Sequence, residues 1–214
     1  MISDLPDGKG PYGGLVFDAS GNLYGTTSAG GGTLGCDYGS YNGCGTVFQL
    51  TPSGSGWTTN ALYEFQSTSS GNTPLATMIM DSAGNLYGTT VDGGQLGGGT
   101  AFELTNSSGN WSFNAFYAFH PEQQDGGADG PLLMDAAGNL YATVLTSGFL
   151  GYGQVIKLIP SDGGYTEYTL YSFTGGDDGK YPSGNLVMDS QGNLYGTASA
   201  GGAPGFGVVW EITP

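Results

Sequence analysis

Arginine is absent from this 214-residue chain and lysine occurs only three times, against 18 acidic residues, for a formal net charge of −15. Nucleic acid is thereby excluded as a partner, because its phosphates demand Lys and Arg, and an anionic membrane surface is excluded on the same ground. His120 is the single histidine. A Ser-His-Asp or Cys-His site would have to use it, yet no nucleophile motif stands near it in sequence, so it reads as a surface side chain. No stretch of about 20 apolar residues occurs that would span a bilayer. Met1-Ile2-Ser3-Asp4 lacks the basic start and apolar core of a signal peptide, so a secreted protein is expected to have lost its leader before this point. Helical periodicity is missing throughout, which leaves an all-β chain.

What is present is repetition. Gly-Asn-Leu-Tyr stands at Gly21 to Tyr24, Gly84 to Tyr87, and Gly192 to Tyr195, and again at Gly138 to Tyr141. Each copy follows an aspartate, Asp18, Asp81, Asp135 or Asp189, at spacings of 63, 54 and 54 residues. One supersecondary unit is therefore reiterated. In each unit a short apolar run (Leu15 to Phe17, Met78 to Met80, Leu132 to Met134, Leu186 to Met188) enters an Asp-x-x-Gly turn and leaves as Asn-Leu-Tyr, the pattern of a hairpin. A third strand follows at Gly45 to Thr51, Gly99 to Thr105, Gly153 to Ile159 and Gly207 to Thr213. A fourth, aromatic strand follows at Trp57 to Phe65, Trp111 to Phe119 and Tyr165 to Phe173. Four antiparallel strands in about 54 residues is blade length for a β-propeller. Stacked blades cover both faces of each sheet, which accounts for strands apolar on both sides. The chain is read as one propeller domain, residues 1–214, with repeats at approximately 3–65, 66–119, 120–173 and 174–214.

The ends do not match the middle. Ile2 aligns with Phe65, Phe119 and Phe173, and Pro214 with Pro52 and Pro160, so only three fourth strands are present. Either a four-bladed ring closes with an incomplete last blade, or the chain is part of a longer array, or two chains combine into a larger ring. An exposed edge favours self-association.

The pattern Tyr-Ser-Phe, Gly-Gly-Asp-Asp-Gly, Pro-x-Gly-x-Leu, Asp-x-x-Gly-Asn-Leu-Tyr-Gly-Thr, Gly-Gly and Gly-x-Val-Phe-x-Leu resembles the GloVer tandem repeat of bacterial "choice-of-anchor" proteins. The resemblance covers residues 7–214. The third copy departs from it with Ala142 and with Thr146-Ser147-Gly148 in place of Gly-Gly. It implies an extracellular or surface-attached bacterial protein and brings no catalytic residues.

Cys36 and Cys44 are the only cysteines and share the one insertion: Tyr24 to Gly45 spans 21 positions where the other units take 12. A disulfide pinning this loop is expected, worth about 2 to 3 kcal/mol by loop entropy, with two free thiols as the alternative. Two cysteines without a nearby His or further Cys do not complete a zinc site.

Strand direction alternates through a blade, so the loop between second and third strands opens on the same face as the connection from fourth strand to next first strand. These are the long segments, and loops on a rigid scaffold are the usual seat of recognition. Their aromatic residues Tyr38, Tyr41, Phe149, Tyr152, Tyr181 and Phe206 are the candidate ligand contacts. Half of the acids also map there. Asp125, Asp129, Asp177 and Asp178 are the densest group and suit Ca²⁺ through oxygen ligands, although none matches an EF-hand loop and a solvated acidic surface is the plainer reading. The repeated aspartates are expected to set turns by accepting backbone N–H bonds, and the repeated tyrosines Tyr24, Tyr87, Tyr141 and Tyr195 to pack between blades.

These observations favour a non-catalytic extracellular binding or adhesion module for carbohydrate or another surface ligand, needing no cofactor, with Ca²⁺ as the one ion its acidic rim could hold. The alternatives are a self-assembling surface protein that forms a homo-oligomer through its incomplete blade, and a carbohydrate-active hydrolase or lyase using two rim carboxylates.

Overall fold

The computed structural model describes residues 8–32, 36, 43–66, 69–120, 128, 130–148, 150–162 and 164–213. Its strands form four antiparallel sheets arranged as a four-bladed β-propeller, with no helix among the described residues. The first blade contains β1 (Gly8–Lys9), β2 (Val16–Phe17), β3 (Leu23–Thr27), β4 (Ala29–Gly30), β5 (Thr46–Ser53) and β6 (Gly56–Glu64). Its sheet order is β2-β3-β5-β6, and β1 pairs with β4 to prolong the inner hairpin. The second blade is β7 (Ile79–Met80), β8 (Leu86–Thr89), β9 (Thr100–Ser107) and β10 (Asn110–Ala118). The third is β11 (Leu133–Met134), β12 (Leu140–Val144), β13 (Gln154–Ser161) and β14 (Gly164–Ser172). The last has only β15 (Lys180–Met188), β16 (Leu194–Ala200) and β17 (Val208–Ile212), the incomplete blade expected from the sequence.

Burial follows from stacking. The second strand of each of the first three blades is buried at every position, because a neighbouring blade lies on one or both of its faces. Three core clusters straddle successive seams. Phe65 of the first blade joins Met78, Leu86 and Phe102 of the second. Phe119 joins Leu132, Leu140 and Ile156, and Phe173 joins Leu186, Leu194 and Trp210. Each such phenylalanine contributes roughly 1.5–3 kcal/mol by burial. The outer strands add ring contacts across the seams, with Tyr63 stacked on Phe113 at 3.8 Å and Phe116 against Tyr165 at 4.3 Å.

One position explains why the third repeat departs from the pattern. Gly25, Gly88 and Gly196 pair directly with Phe48, Phe102 and Trp210 on the adjoining strand, whereas Ala142 pairs with Ile156. A Cβ on Gly88 would lie 2.5 Å from the tip of the Phe102 ring, and one on Gly196 2.2 Å from the Trp210 ring. The flat ring lies over the bare glycine backbone. An alanine fits only where the partner is the shorter isoleucine.

The insertion in the first blade is closed by a Cys36–Cys44 disulfide. Both cysteines are buried in the first seam beside Val47 and Phe65.

Candidate functional site

Asp18, Asp81, Asp135 and Asp189 accept the same backbone and asparagine bonds from their own turns in all four blades. Asp18 Oδ1 accepts the backbone N–H groups of Ser20 and Asn22 at 2.8 Å each, while Oδ2 accepts Asn22 Nδ2 at 2.7 Å and the Tyr24 hydroxyl at 3.0 Å. Asp135 repeats this with Ala137, Asn139 and Tyr141. The carboxylates thus fasten their own turns and are saturated, as the short Asp-x-x-Gly spacing led one to expect. Partial burial raises the Asp18, Asp81, Asp135 and Asp189 carboxyls, but the side-chain and backbone bonds from the following asparagine outweigh it and hold all four below the usual carboxylate range.

The repeated tyrosines of the motif have a second task that spacing alone did not reveal. Tyr24, Tyr87 and Tyr141 are buried at the seams, and each hydroxyl also reaches back to the turn aspartate of its own blade. Burial and the neighbouring carboxylate raise all three phenols above their ordinary value.

On the long-loop face, the sequence candidates separate. Tyr38, Tyr41, Phe149, Asp125 and Asp129 lie outside the described residues. Tyr152 and Tyr181 are brought together across the seam between third and fourth blades, ring centroids 6.4 Å apart and nearly perpendicular, and Tyr181 N–H donates to the Tyr152 carbonyl at 2.8 Å. The Lys180 ammonium stands 5.3 Å from the centroid of each ring, within cation–π range. Sequence reading missed Lys180, although its adjacency to Tyr181 was visible. Tyr181 also has φ of 60°, at the register position that Gly10 occupies with φ of 66° and Thr73 with 58°. A left-handed backbone there is a property of the repeat, and glycine adopts it most cheaply. Phe206 is 89 % exposed in the loop between β16 and β17, where it bridges Gly201 across the base of the turn.

Of the acidic candidates, Asp178 Oδ2 accepts Thr174 N–H at 2.7 Å and the Tyr171 hydroxyl at 3.0 Å, and Oδ1 accepts the Thr174 hydroxyl at 2.6 Å. Partial burial raises its carboxyl, and these Thr174 and Tyr171 bonds bring it below the ordinary value. Asp177 beside it is exposed. Among the described residues no group of three or more His, Cys, Asp or Glu side chains is placed to hold a metal ion. A groove of about 260 Å³ runs beside β17, lined by Tyr171, Phe173, Asp177, Asp178 and the strand itself. His120 is exposed.

A propeller whose blades are each pinned by an Asp-Asn-Tyr turn is the class of protein that this geometry defines. The profile of the Gloeobacter/Verrucomicrobia repeat family matches residues 34–214, and the chain belongs to that family. No curated protein matches the sequence. Among solved structures, the chain is similar to an unknown-function protein from Dyadobacter fermentans, at 14% identity and a TM-score of 0.54. The match covers 94% of this chain and 63% of that one, so the chain spans less than two thirds of that relative's length. A bifunctional GH43-CE protein of Bacteroides eggerthii matches at 13% identity and a TM-score of 0.47, over 92% of this chain and 25% of that one.

Proposed function

We propose that this protein is a non-catalytic binding module working outside the bacterial cell, and that it takes carbohydrate on the long-loop face at the seam of the third and fourth blades. The observation that carries this reading is Tyr181. At the left-handed position that Gly10 and Thr73 occupy in the first two blades, the third seam places an aromatic ring, set edge-on to Tyr152 with Lys180 beside both. Half-buried tyrosines with one polar end in water stack on sugar rings, and the lysine adds a donor for hydroxyl groups. An extracellular setting is supported by the family and by the disulfide, which persists in oxidising compartments.

The test is a glycan array followed by calorimetric titration of the best ligand. Wild type is expected to bind, and Tyr152→Ala and Tyr181→Gly to lose at least ten-fold in affinity, roughly 1.4 kcal/mol. Undiminished binding in both variants refutes this site. Turnover of a polysaccharide by wild type that falls in Asp177→Asn or Asp178→Asn would replace the reading with a hydrolase or lyase.

A further inference from the structure

We infer that the seam of the third and fourth blades takes an acidic sugar, with one uronate or sulfate group seated on Lys180 between Tyr152 and Tyr181; this rests on the carbohydrate reading above and narrows it. The first seam is an internal control. There Thr73 N–H donates to the Cys44 carbonyl at 3.1 Å, the same bond that Tyr181 N–H makes to the Tyr152 carbonyl at 2.8 Å in the third. The joint is thus made by backbone, and it forms without aromatic side chains. At the first seam the side chains serve the protein itself: Cys44 is tied to Cys36, and the Thr73 hydroxyl donates to Asn72 Oδ1 at 2.7 Å. At the third, the equivalent places carry Tyr152, Tyr181 and Lys180, two rings and a cation that the joint does not require.

The three side chains stand on fixed backbone. Lys180 of β15 pairs with Ala200 of β16, and the Ser199 hydroxyl donates to the Tyr181 carbonyl at 3.2 Å. Behind Tyr152 the Gly175 backbone lies so close that a Cβ would come within 2.8 Å of the ring, and Gly175 N–H closes its own loop on the Gly179 carbonyl at 3.0 Å. Both tyrosines are half-buried, so they have little rotamer freedom left to lose when a sugar ring stacks on them.

Charge sets the class of sugar. Lys180 is one of three cationic side chains against 18 acids, yet among the described residues its ammonium meets only the two rings, 5.3 Å from each centroid. The acids nearest in sequence are turned elsewhere. Asp178 commits both oxygens to Thr174 and Tyr171, and it lines the groove beside β17 together with Asp177. An ammonium partly stripped of water by two rings, and not neutralised, is a receptor for an anionic oxygen. The −15 charge of the chain opposes a dense polyanion, so the acidic groups of the ligand are spaced among neutral rings, one to a site.

The test is a glycan array printed in matched pairs, each oligosaccharide bearing one uronate beside its carboxyl-reduced form and each bearing one sulfate beside its unsulfated parent, followed by calorimetric titration of the best pair. Wild type is expected to bind the acidic member at least about ten-fold more tightly, and the kind of pair that shows this identifies the acid as carboxylate or sulfate. Lys180→Met is expected to bring the acidic member down to the affinity of the neutral one and to leave the neutral one unchanged. Lys180→Arg should keep the preference, because it keeps a cation beside the rings. Thermal melts of both variants should stay close to wild type, since the Lys180 side chain holds no other partner among the described residues. Equal binding of the two members by wild type, lost in Tyr152→Ala, overturns the acidic class and leaves the carbohydrate site standing. A preference for the acidic member that survives Lys180→Met overturns the inference as well. Binding to no member of the array overturns it together with the carbohydrate reading.

Discussion

Asp81→Ala removes one copy of the repeated turn, in a blade with a neighbour on either side of its sheet. Asp81 Oδ1 accepts the N–H groups of Ala83 and Asn85 at 2.9 Å each, and Oδ2 accepts Asn85 Nδ2 at 2.9 Å. The Tyr87 hydroxyl is 3.3 Å away but 2.7 Å from Glu103, so its proton serves Glu103. Three charge-assisted bonds are lost. At about 1.5 kcal/mol each, the low end for a partly exposed acceptor, the gross loss is about 4–5 kcal/mol. Water replaces the carboxylate at the freed turn N–H groups, which leaves about 2–3 kcal/mol and a fall in Tm of about 5–10 °C for a chain of this size. Asp81→Asn keeps an acceptor for the two backbone groups but sets an NH₂ against that of Asn85, and about 1–2 kcal/mol is expected. Urea and thermal melts at pH 7 measure both. An Asp81→Ala variant within 0.5 kcal/mol of wild type would refute the assignment of these aspartates as the fasteners of the hairpins.

The same geometry sets a pH window. The turn carboxyls are depressed below their unfolded values, so their stabilisation is present above the ordinary carboxylate range and lost as pH falls through the folded values. The seam phenols Tyr24 and Tyr141 are raised, so stability falls as pH rises past the unfolded phenol value. Tm should plateau between about pH 4 and pH 10, and a protein equally stable at pH 2.5 would contradict this. Gly88→Ala is expected to cost about 1–3 kcal/mol by forcing a methyl into the Phe102 ring, with part of that restored in Gly88→Ala/Phe102→Ile; denaturant melts showing no coupling would dismiss the pairing rule. Reduction of Cys36–Cys44 should lower Tm by about 5–10 °C, from a loop-closure contribution of about 2.6 kcal/mol, measured by calorimetry with and without dithiothreitol. Tyr181→Gly should hold or slightly raise Tm while lowering ligand affinity at least ten-fold, because it relieves the left-handed backbone as it deletes the ring; a lower Tm would show that the ring is structural.

Local rules made the blades legible in one dimension. An Asp-x-x-Gly turn followed by Asn-Leu-Tyr closes a hairpin through bonds spanning six residues or fewer, and a 54-residue period with a missing fourth aromatic strand gave the three full blades and the partial one. The Cys36–Cys44 pair was readable because both lie in one insertion. What spacing could not show are contacts made between units. Lys180 joins Tyr152 and Tyr181 only because a seam brings the end of one loop to the start of another strand. Ala142 looked like a lapse in the motif until the strand opposite was seen to carry Ile156 in place of a ring. Burial was hidden for the same reason: Val155 is core because the fourth blade covers it, and nothing in its own repeat says so. Hydrogen bonds within a turn are written in neighbouring residues, whereas burial depends on what lies on the other side of the sheet, and that the tertiary structure alone decides.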